Sequence, residues 1–476
     1  MEQTTSAALD PVVAARVKTI QSLAKLLDRS PWSWCILHPW RGYPSNVEAD
    51  SDIDILLPPE ALPHEFGLFL DENTHILESS LIQYKKIPAT ASHLYVLAID
   101  DRLDDSSTLS LDVSSDHRRL GVSFYSADEL LHGRRRVDGF WLLEPALEFG
   151  YCLTKWICGS GILGDRQSRL SSLYLEYPAE CDQQLNRFWG AKSVRILSKA
   201  LKANNWLPVQ EALPRLRREL LSRRVWRSPA VCGMVAFERA RDALRRPLLG
   251  LWIGFLGTDG VGKSTMVQRF RNNSIRGFGK SPNTRHWFLR IPGNRRLYGR
   301  VWLPLQSRLY EPWNAGTPHS RPVFSVRRSW MLALLWYGHA WIDYLTNIRV
   351  QTLRSRIFVS DRIKLPDAMV DPIRYRYGGS RTLLSSLWKR AAKPDIIFVL
   401  DAEPDVIYSR KQELTRQETE RQRKGYRDLT KELSNSYIVD TSKPVSEVER
   451  DIHRILINIM NERTVKALKA RRPTGI

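Results

Sequence analysis

Gly257-Thr258-Asp259-Gly260-Val261-Gly262-Lys263-Ser264 fits the pattern G-x-x-x-x-G-K-[ST]. Glycines at these places let the chain turn through conformations that a side chain blocks. Successive amides then point inward around a phosphate, and the positive end of a following helix adds to the pull on the anion. In such a loop Lys263 reaches the β- and γ-phosphates and the Ser264 hydroxyl binds magnesium. Residues 257–265, ending in Thr265, are therefore expected to hold a purine nucleoside triphosphate, with ATP and Mg2+ as the cofactors. Asp259 is out of keeping with a pure phosphate cradle. Its carboxylate repels phosphates unless it faces elsewhere, and an acceptor is one group it can contact instead.

A second cluster reads differently. Asp52 and Asp54, in Asp50-Ser51-Asp52-Ile53-Asp54-Ile55-Leu56-Leu57, stand two apart on a predicted strand and so share one face. Adjacent carboxylates repel unless a cation or a proton lies between them. A divalent metal is the expected cation, with Asp112 on a neighbouring strand as the third ligand. Two such ions stabilise the attacking and the leaving oxygens of a displacement.

The elements that must position these residues follow from the pattern. Leu251 to Leu256 is an apolar strand running into the glycine loop, and Thr265 to Phe270 opens a helix. Strands at Ile357 to Val359, Ile396 to Leu400 and Ser436 to Val439 alternate with helical stretches, which predicts an α/β fold: a parallel sheet with helices on both faces, in three αβα layers. Val445 to Met460 reads as a packing helix. The first half is expected to be α+β, with helices at Val12 to Leu27, Ala61 to Leu70, Leu142 to Cys158 and Gln184 to Leu201. Its strands are Trp34 to Leu37, Ile53 to Leu57, Leu94 to Ile99 and Thr108 to Val113. Arg-rich Ala212 to Pro247, punctuated by Pro214, Pro229 and Pro247, reads as a helical linker. The expected domains are 1–209, a basic linker 210–250, and 251–476, of which Arg471 to Ile476 is frayed.

Charge supports that division. The chain of 476 residues carries a net +21. Residues 1–209 hold 21 basic and 27 acidic side chains, residues 210–250 hold 10 and 4, and residues 251–476 hold 41 and 20. Basic charge with abundant aromatics suits nucleic acid or an anionic membrane surface. Arginine is equally what a phosphate-handling pocket needs, so nucleic acid is not the expected partner. The bridge from Arg215 to Arg227 leaves peripheral membrane contact open. The five cysteines are an odd number with no C-x-x-C pair, Met1 to Asp28 has no signal-like apolar run, and Trp330 to Tyr344 is shorter than the ~20 residues of a membrane span. The expected location is cytoplasmic, with attachment at the inner face of the membrane as its variant. A homodimer is compatible with these features, which leave the oligomeric state open.

Gly257-x-Asp259-Gly260-x-Gly262-Lys263-Ser264-Thr265 resembles the loop of thymidylate kinases. The resemblance implies that Asp259 approaches the acceptor. Phe358-Val-Ser-Asp361-Arg362 is similar to the family's strand-ending Asp-Arg pair, which implies that Asp361 organises magnesium and Arg362 binds phosphate. Arg290-Ile-Pro292-Gly293 resembles the segment near the acceptor phosphate, with Ile291 in place of an acid. Asp367, Asp371, Arg374 and Arg376 form a further charged cluster, either an acceptor or magnesium contact or a solvated loop. Arg410, Lys411, Glu413, Arg416, Arg421 and Arg423 occupy the place of the family's lid, with Arg410 and Arg421 the first choices for stabilising the moving phosphoryl group. Lys263, Asp361, Arg362, Arg410 and Arg421 are thus the expected catalytic set. Ile363 departs from the aromatic or histidine usual after the Asp-Arg pair, and no thymine-reading segment is visible.

The acid pair resembles that of the nucleotidyltransferase superfamily that includes DNA polymerase beta. The Gly-Ser step that normally precedes it is replaced by His38-Pro-Trp-Arg41-Gly42-Tyr43, leaving either a working transferase or a domain that only binds. His38 itself reads as a packing or turn residue. Together with Arg118-Arg-Leu-Gly121-Val122-Ser-Phe-Tyr125, the two halves resemble bacterial two-part proteins associated with surface polysaccharides. The resemblance implies an ATP- and Mg-dependent kinase acting on a nucleotide or sugar-type acceptor, fused to a nucleotidyltransferase-like domain. The competing expectation is a nucleotide-binding regulatory or membrane-peripheral module without kinase turnover.

Overall fold

The computed structural model describes residues 11–40, 43–45, 47–48, 51–87, 92–101, 103, 107–119, 122–159, 164–225, 250–272, 283–285, 322–353, 356–412 and 414–470. Outside them lie Arg290 to Gly293, Glu413, Leu120 and Gly121, the linker from Trp226 to Leu249, and Arg471 to Ile476. The chain forms two compact units, residues 1–246 with 456–476, and residues 247–455.

The first unit is built on a seven-stranded sheet ordered β3-β4-β5-β2-β1-β9-β8. Its strands are β1 (Cys35–Ile36), β2 (Asp52–Leu56), β3 (Ser80–Ile87), β4 (Ser92–Ala98), β5 (Thr108–Ser114), β8 (Arg134–Val137) and β9 (Phe140–Leu143). β6 (His117–Arg119) and β7 (Val122–Tyr125) form a separate ribbon. β2 and β5 are parallel and place Asp54 opposite Asp112. The helix Pro145–Cys158 follows β9, and Leu153, Trp156 and Ile157 pack in one core with Leu170, Leu185, Leu197 and Leu216.

That core corrects the expected linker. Leu207–Val225 is one helix with Pro214 inside it, and its Leu216 and Leu220 are buried. Arg217 donates to the carbonyls of Ile157 and Gly159, so it satisfies the end of the helix Pro145–Cys158, where backbone acceptors lack intrahelical partners. The helical reading of this stretch holds to Val225, and its Arg217 is a helix cap within the first unit's core. The C-terminal helix Val445–Lys469 also departs from expectation, because from Leu456 onward it belongs to the first unit. Leu468 joins that unit's core, Thr464 donates to the Ile82 carbonyl at 3.0 Å and Asn461 to Asp71 at 2.9 Å.

The second unit holds a five-stranded sheet ordered β11-β12-β10-β13-β14, parallel throughout. These strands are β10 (Leu251–Leu256), β11 (Asn283–Arg285), β12 (Ile357–Ser360), β13 (Ile396–Asp401) and β14 (Ser436–Asp440). β10, β12 and β13 are buried along their whole length, as a sheet covered on both faces requires. The expected α/β class is observed. β11 was not foreseen, its three residues carrying no apolar run. Because β12 and β13 flank β10, the loops after these three strands open at one edge of the sheet, where open α/β sheets bind ligands.

Candidate functional site

The glycine loop leaves β10 and enters the helix Lys263–Asn272. Gly257, Gly260 and Gly262 all have positive φ. A side chain at Gly257 would sit 2.5 Å from the Leu400 carbonyl oxygen, so the loop can press against β13 only with glycine there. Gly262 has φ +101° and nothing within 4 Å of the place a Cβ would take. Glycine is therefore required at 262 by its backbone conformation and not by crowding.

Lys263 is buried against the loop, its ammonium donating to the carbonyls of Gly257 at 2.6 Å and Thr258 at 2.7 Å. Burial, followed by the charge of Arg362, pulls it from 10.5 down to about 7. Thr258 and Val261 are buried, whereas Ser264 and Thr265 are exposed in the helix's first turn. Asp259 faces cations: Arg362 donates to Oδ1 at 3.0 Å, Arg374 pairs with Oδ2, and Lys263 lies 3.8 Å away. The charge that seemed misplaced in the loop is thereby neutralised, and Asp259 in turn fixes two guanidiniums at the loop's mouth.

Asp361 is buried at the end of β12, beside Arg362. Of the cluster that follows, Asp367 and Asp371 are buried and Arg374 joins Asp259, so these three are not a solvated loop. Asp367 accepts hydrogen bonds from Tyr375 at 3.1 Å and Tyr426 at 3.0 Å, and its burial raises its pKa. Arg376 turns away, its guanidinium 4.0 Å from the centre of the Phe324 ring. Tyr375, Tyr426 and Arg427 were not singled out in the sequence, where aromatic residues in charged stretches carry no spacing signal.

The expected lid residues divide. Arg423 is buried and donates to Asp401 at 2.8 Å, with Arg427 donating to the same carboxylate at 2.5 Å. Arg410 donates to the Thr441 carbonyl at 2.9 Å, and Arg421 pairs with Glu418 and donates to the Val370 carbonyl. Asp401→Ala is expected to lower the second unit's stability by about 3 kcal/mol, because it strands a buried guanidinium that keeps, among the described residues, Glu420 and the distant Glu403. Arg421→Ala, at an exposed local pair, is expected to stay within about 0.5 kcal/mol. Denaturant titration of both variants checks the contrast.

Several observations bear on the identity of this site. No family model matches the chain. Thymidylate kinases from three strains of Francisella tularensis subsp. holarctica are each 24% identical to it over 216 residues, covering 42% of the chain and 92% of the relative. Among solved structures, thymidylate kinase from Ehrlichia chaffeensis aligns over 46% of the chain and 98% of its own length, at 18% identity and a TM-score of 0.27. The Candida albicans thymidylate kinase aligns over 44% and 93%, at 17% identity and 0.32. Less than half of the chain is thymidylate-kinase-like, and that likeness supports a nucleotide-kinase type of phosphotransferase.

In the first unit the three expected metal ligands are not assembled. Asp54 is buried and Asp52 exposed on the same strand. Asp54 Oδ2 accepts from the Lys155 ammonium at 2.7 Å and lies 2.8 Å from His38 Nε2. Burial pushes the Asp54 carboxyl up, but the charge of Lys155, with His38, outweighs it and holds the carboxyl far below its ordinary value. Asp112 accepts from Ser92, and its Oδ1 has no partner among the described residues. Burial and then the Asp54 charge raise it to about 6. No three His, Cys, Asp or Glu among the described residues stand where they could hold a metal ion. His38 is thus more than a turn residue, and Lys155 was missed. Its signal was present: a lone lysine in the apolar run Leu153-Thr154-Lys155-Trp156-Ile157.

No helix among the described residues is long and apolar enough to cross a membrane. The helix Val326–Asp343, which contains most of the apolar stretch noted in the sequence, buries Leu332, Ala333, Trp336 and Ala340 and leaves Val326, Trp330, Met331 and Leu334 exposed.

Proposed function

We propose that residues 247–455 are an ATP- and Mg2+-dependent phosphotransferase that passes the γ-phosphoryl group to a small phosphorylated or sugar-type acceptor, a nucleoside monophosphate being the first candidate. One observation carries this reading: a glycine loop of positive-φ residues holds the buried Lys263 ammonium, with Arg362 and Arg374 gathered on Asp259 at its mouth. The exposed Ser264 hydroxyl and the Asp361 carboxylate are suited to hold Mg2+, which when bound supplies charge neutralisation across the phosphates.

The chain's own residues do the rest by position and charge. Lys263 exchanges two backbone carbonyls for phosphate oxygens. Arg362 and Arg374, held in place by Asp259, meet the acceptor's phosphate in their planar fork geometry. Arg410 and Arg421 complete the set as lid residues, turning in from Thr441 and Glu418. Acceptor-dependent ADP release, screened over nucleoside monophosphates and sugars with Lys263→Ala as control, tests the reading. Release that never exceeds the acceptor-free rate rejects it in favour of a nucleotide-binding module. For the first unit the reading is a nucleotidyltransferase-type scaffold. Equal labelling from radioactive NTP by the wild type and by Asp52→Ala and Asp54→Ala rejects metal-dependent transfer there.

A pH dependence follows from Lys263. Burial holds the ammonium down to about 7, and a bound polyphosphate restores its charge. Nucleotide binding therefore takes up protons above that pH, and affinity falls as pH rises toward the ordinary lysine value. Calorimetry at about pH 8 in buffers of different ionisation enthalpy is expected to show proton uptake. Lys263→Arg, always charged, is expected to abolish it.

A further inference from the structure

We infer that Lys155 is the resident cation of the first unit's acid pair and that this site is closed to divalent metal. Carboxylates on neighbouring strands, Asp54 opposite Asp112, are where an ion is expected. Their surroundings do not fit one. The Asp54 oxygen that an ion would take is 2.7 Å from the Lys155 ammonium and 2.8 Å from His38 Nε2. Asp52, which would complete the ligand set, is exposed, and no other group of three donors stands in its place among the described residues.

The lysine is held rather than passing. It rises from the helix Pro145–Cys158, which is fixed on the core by Leu153, Trp156 and Ile157. Its ammonium lies 5.5 Å from the Tyr151 ring centre, within cation–π reach, and 3.3 Å from His38 Nε2. His38 is oriented in its turn, Nδ1 donating to the Pro39 carbonyl at 2.9 Å. An ammonium offers Asp54 one charge and up to three hydrogen bonds but no Lewis acidity and no open coordination position. The first unit therefore keeps the acid pair while lacking what two-metal transfer requires. This inference stands apart from the phosphotransferase reading of residues 247–455.

The test titrates Mn2+ alone, without nucleotide, into the full chain and follows the unbound ion by electron paramagnetic resonance. Wild type and Asp54→Asn are expected to take up equal numbers of ions. Lys155→Ala, in which the exposed Asp52 side chain can turn in beside Asp54 and Asp112 once the ammonium is gone, is expected to gain one site, which the double variant Lys155→Ala/Asp54→Asn lacks. A wild-type site that Asp54→Asn removes overturns the inference, and so does a Lys155→Ala variant that gains none. Should the alanine variant fail to fold, Lys155→Met, which keeps the packing of the stem, is read the same way. If that fails too, the wild-type and Asp54→Asn comparison decides alone.

Discussion

Replacing Lys263 with alanine is expected to lower acceptor-dependent ADP release by about 10²–10³-fold, the usual cost of removing one preorganised electrostatic contact to a reacting group. The ammonium is a buried cation of the glycine loop, already desolvated and held by two carbonyls. Its transfer to phosphate oxygens requires little reorganisation, and the interaction is strong because water is excluded. The split between kinetic constants is informative. A loss in kcat with KM for ATP nearly unchanged places the lysine's work in the transition state; a rise in KM alone makes it a ground-state anchor. Because Lys263 also ties Gly257 to Thr258, thermal melts of the variant must accompany the kinetics. A folded Lys263→Ala protein that turns over at the wild-type rate removes the phosphate cradle from the mechanism.

Legibility in the sequence followed the range of the interactions. The loop from Gly257 to Ser264 and the strands beginning at Leu251, Ile357, Ile396 and Ser436 were readable because backbone turns and buried apolar runs are local signals. The parallel pairing of β10 with β12 and β13 follows from the same alternation. Partners distant in the chain were not readable. Asp259 meets Arg374, 115 positions later, and Asp54 meets Lys155, 101 positions later. A carboxylate announces that it needs a counter-ion, but nothing in its neighbourhood says whether a metal, a lysine or a guanidinium will supply one. Asp52 and Asp54 suggested an ion for that reason. Arg423 suggested a lid because its role in holding Asp401 depends on how a helix docks on β13. The linker misled in the same way: Pro214 and dense arginine look like punctuation, while burial of Leu216 and Leu220 is decided by the helices they meet.

The ion pair makes the first unit's stability respond to pH to a different extent with and without Lys155. In the wild type the Asp54 carboxyl lies below its ordinary 3.8. It therefore contributes stability that is present above that value and is lost as pH falls through it toward the folded-state value. Lys155→Ala leaves the carboxylate buried with His38 as its remaining partner. The expected cost is about 3 kcal/mol, the low end for breaking a buried pair. That corresponds to a fall of roughly 6–12 °C in the melting temperature of a unit of this size. Burial is then opposed by His38 without Lys155, so the Asp54 carboxyl moves up from its wild-type position and the variant loses less stability than the wild type as pH falls. Acidification to about pH 4 should narrow the gap between variant and wild type, and Asp54→Asn in the variant background should recover part of the loss by removing the charge itself. Chemical denaturation of the four proteins of this cycle at neutral and acidic pH measures both effects. A gap that stays constant across pH, or a double variant no more stable than Lys155→Ala, would mean that the lysine contributes packing alone and that the carboxylate draws its neutralisation from elsewhere.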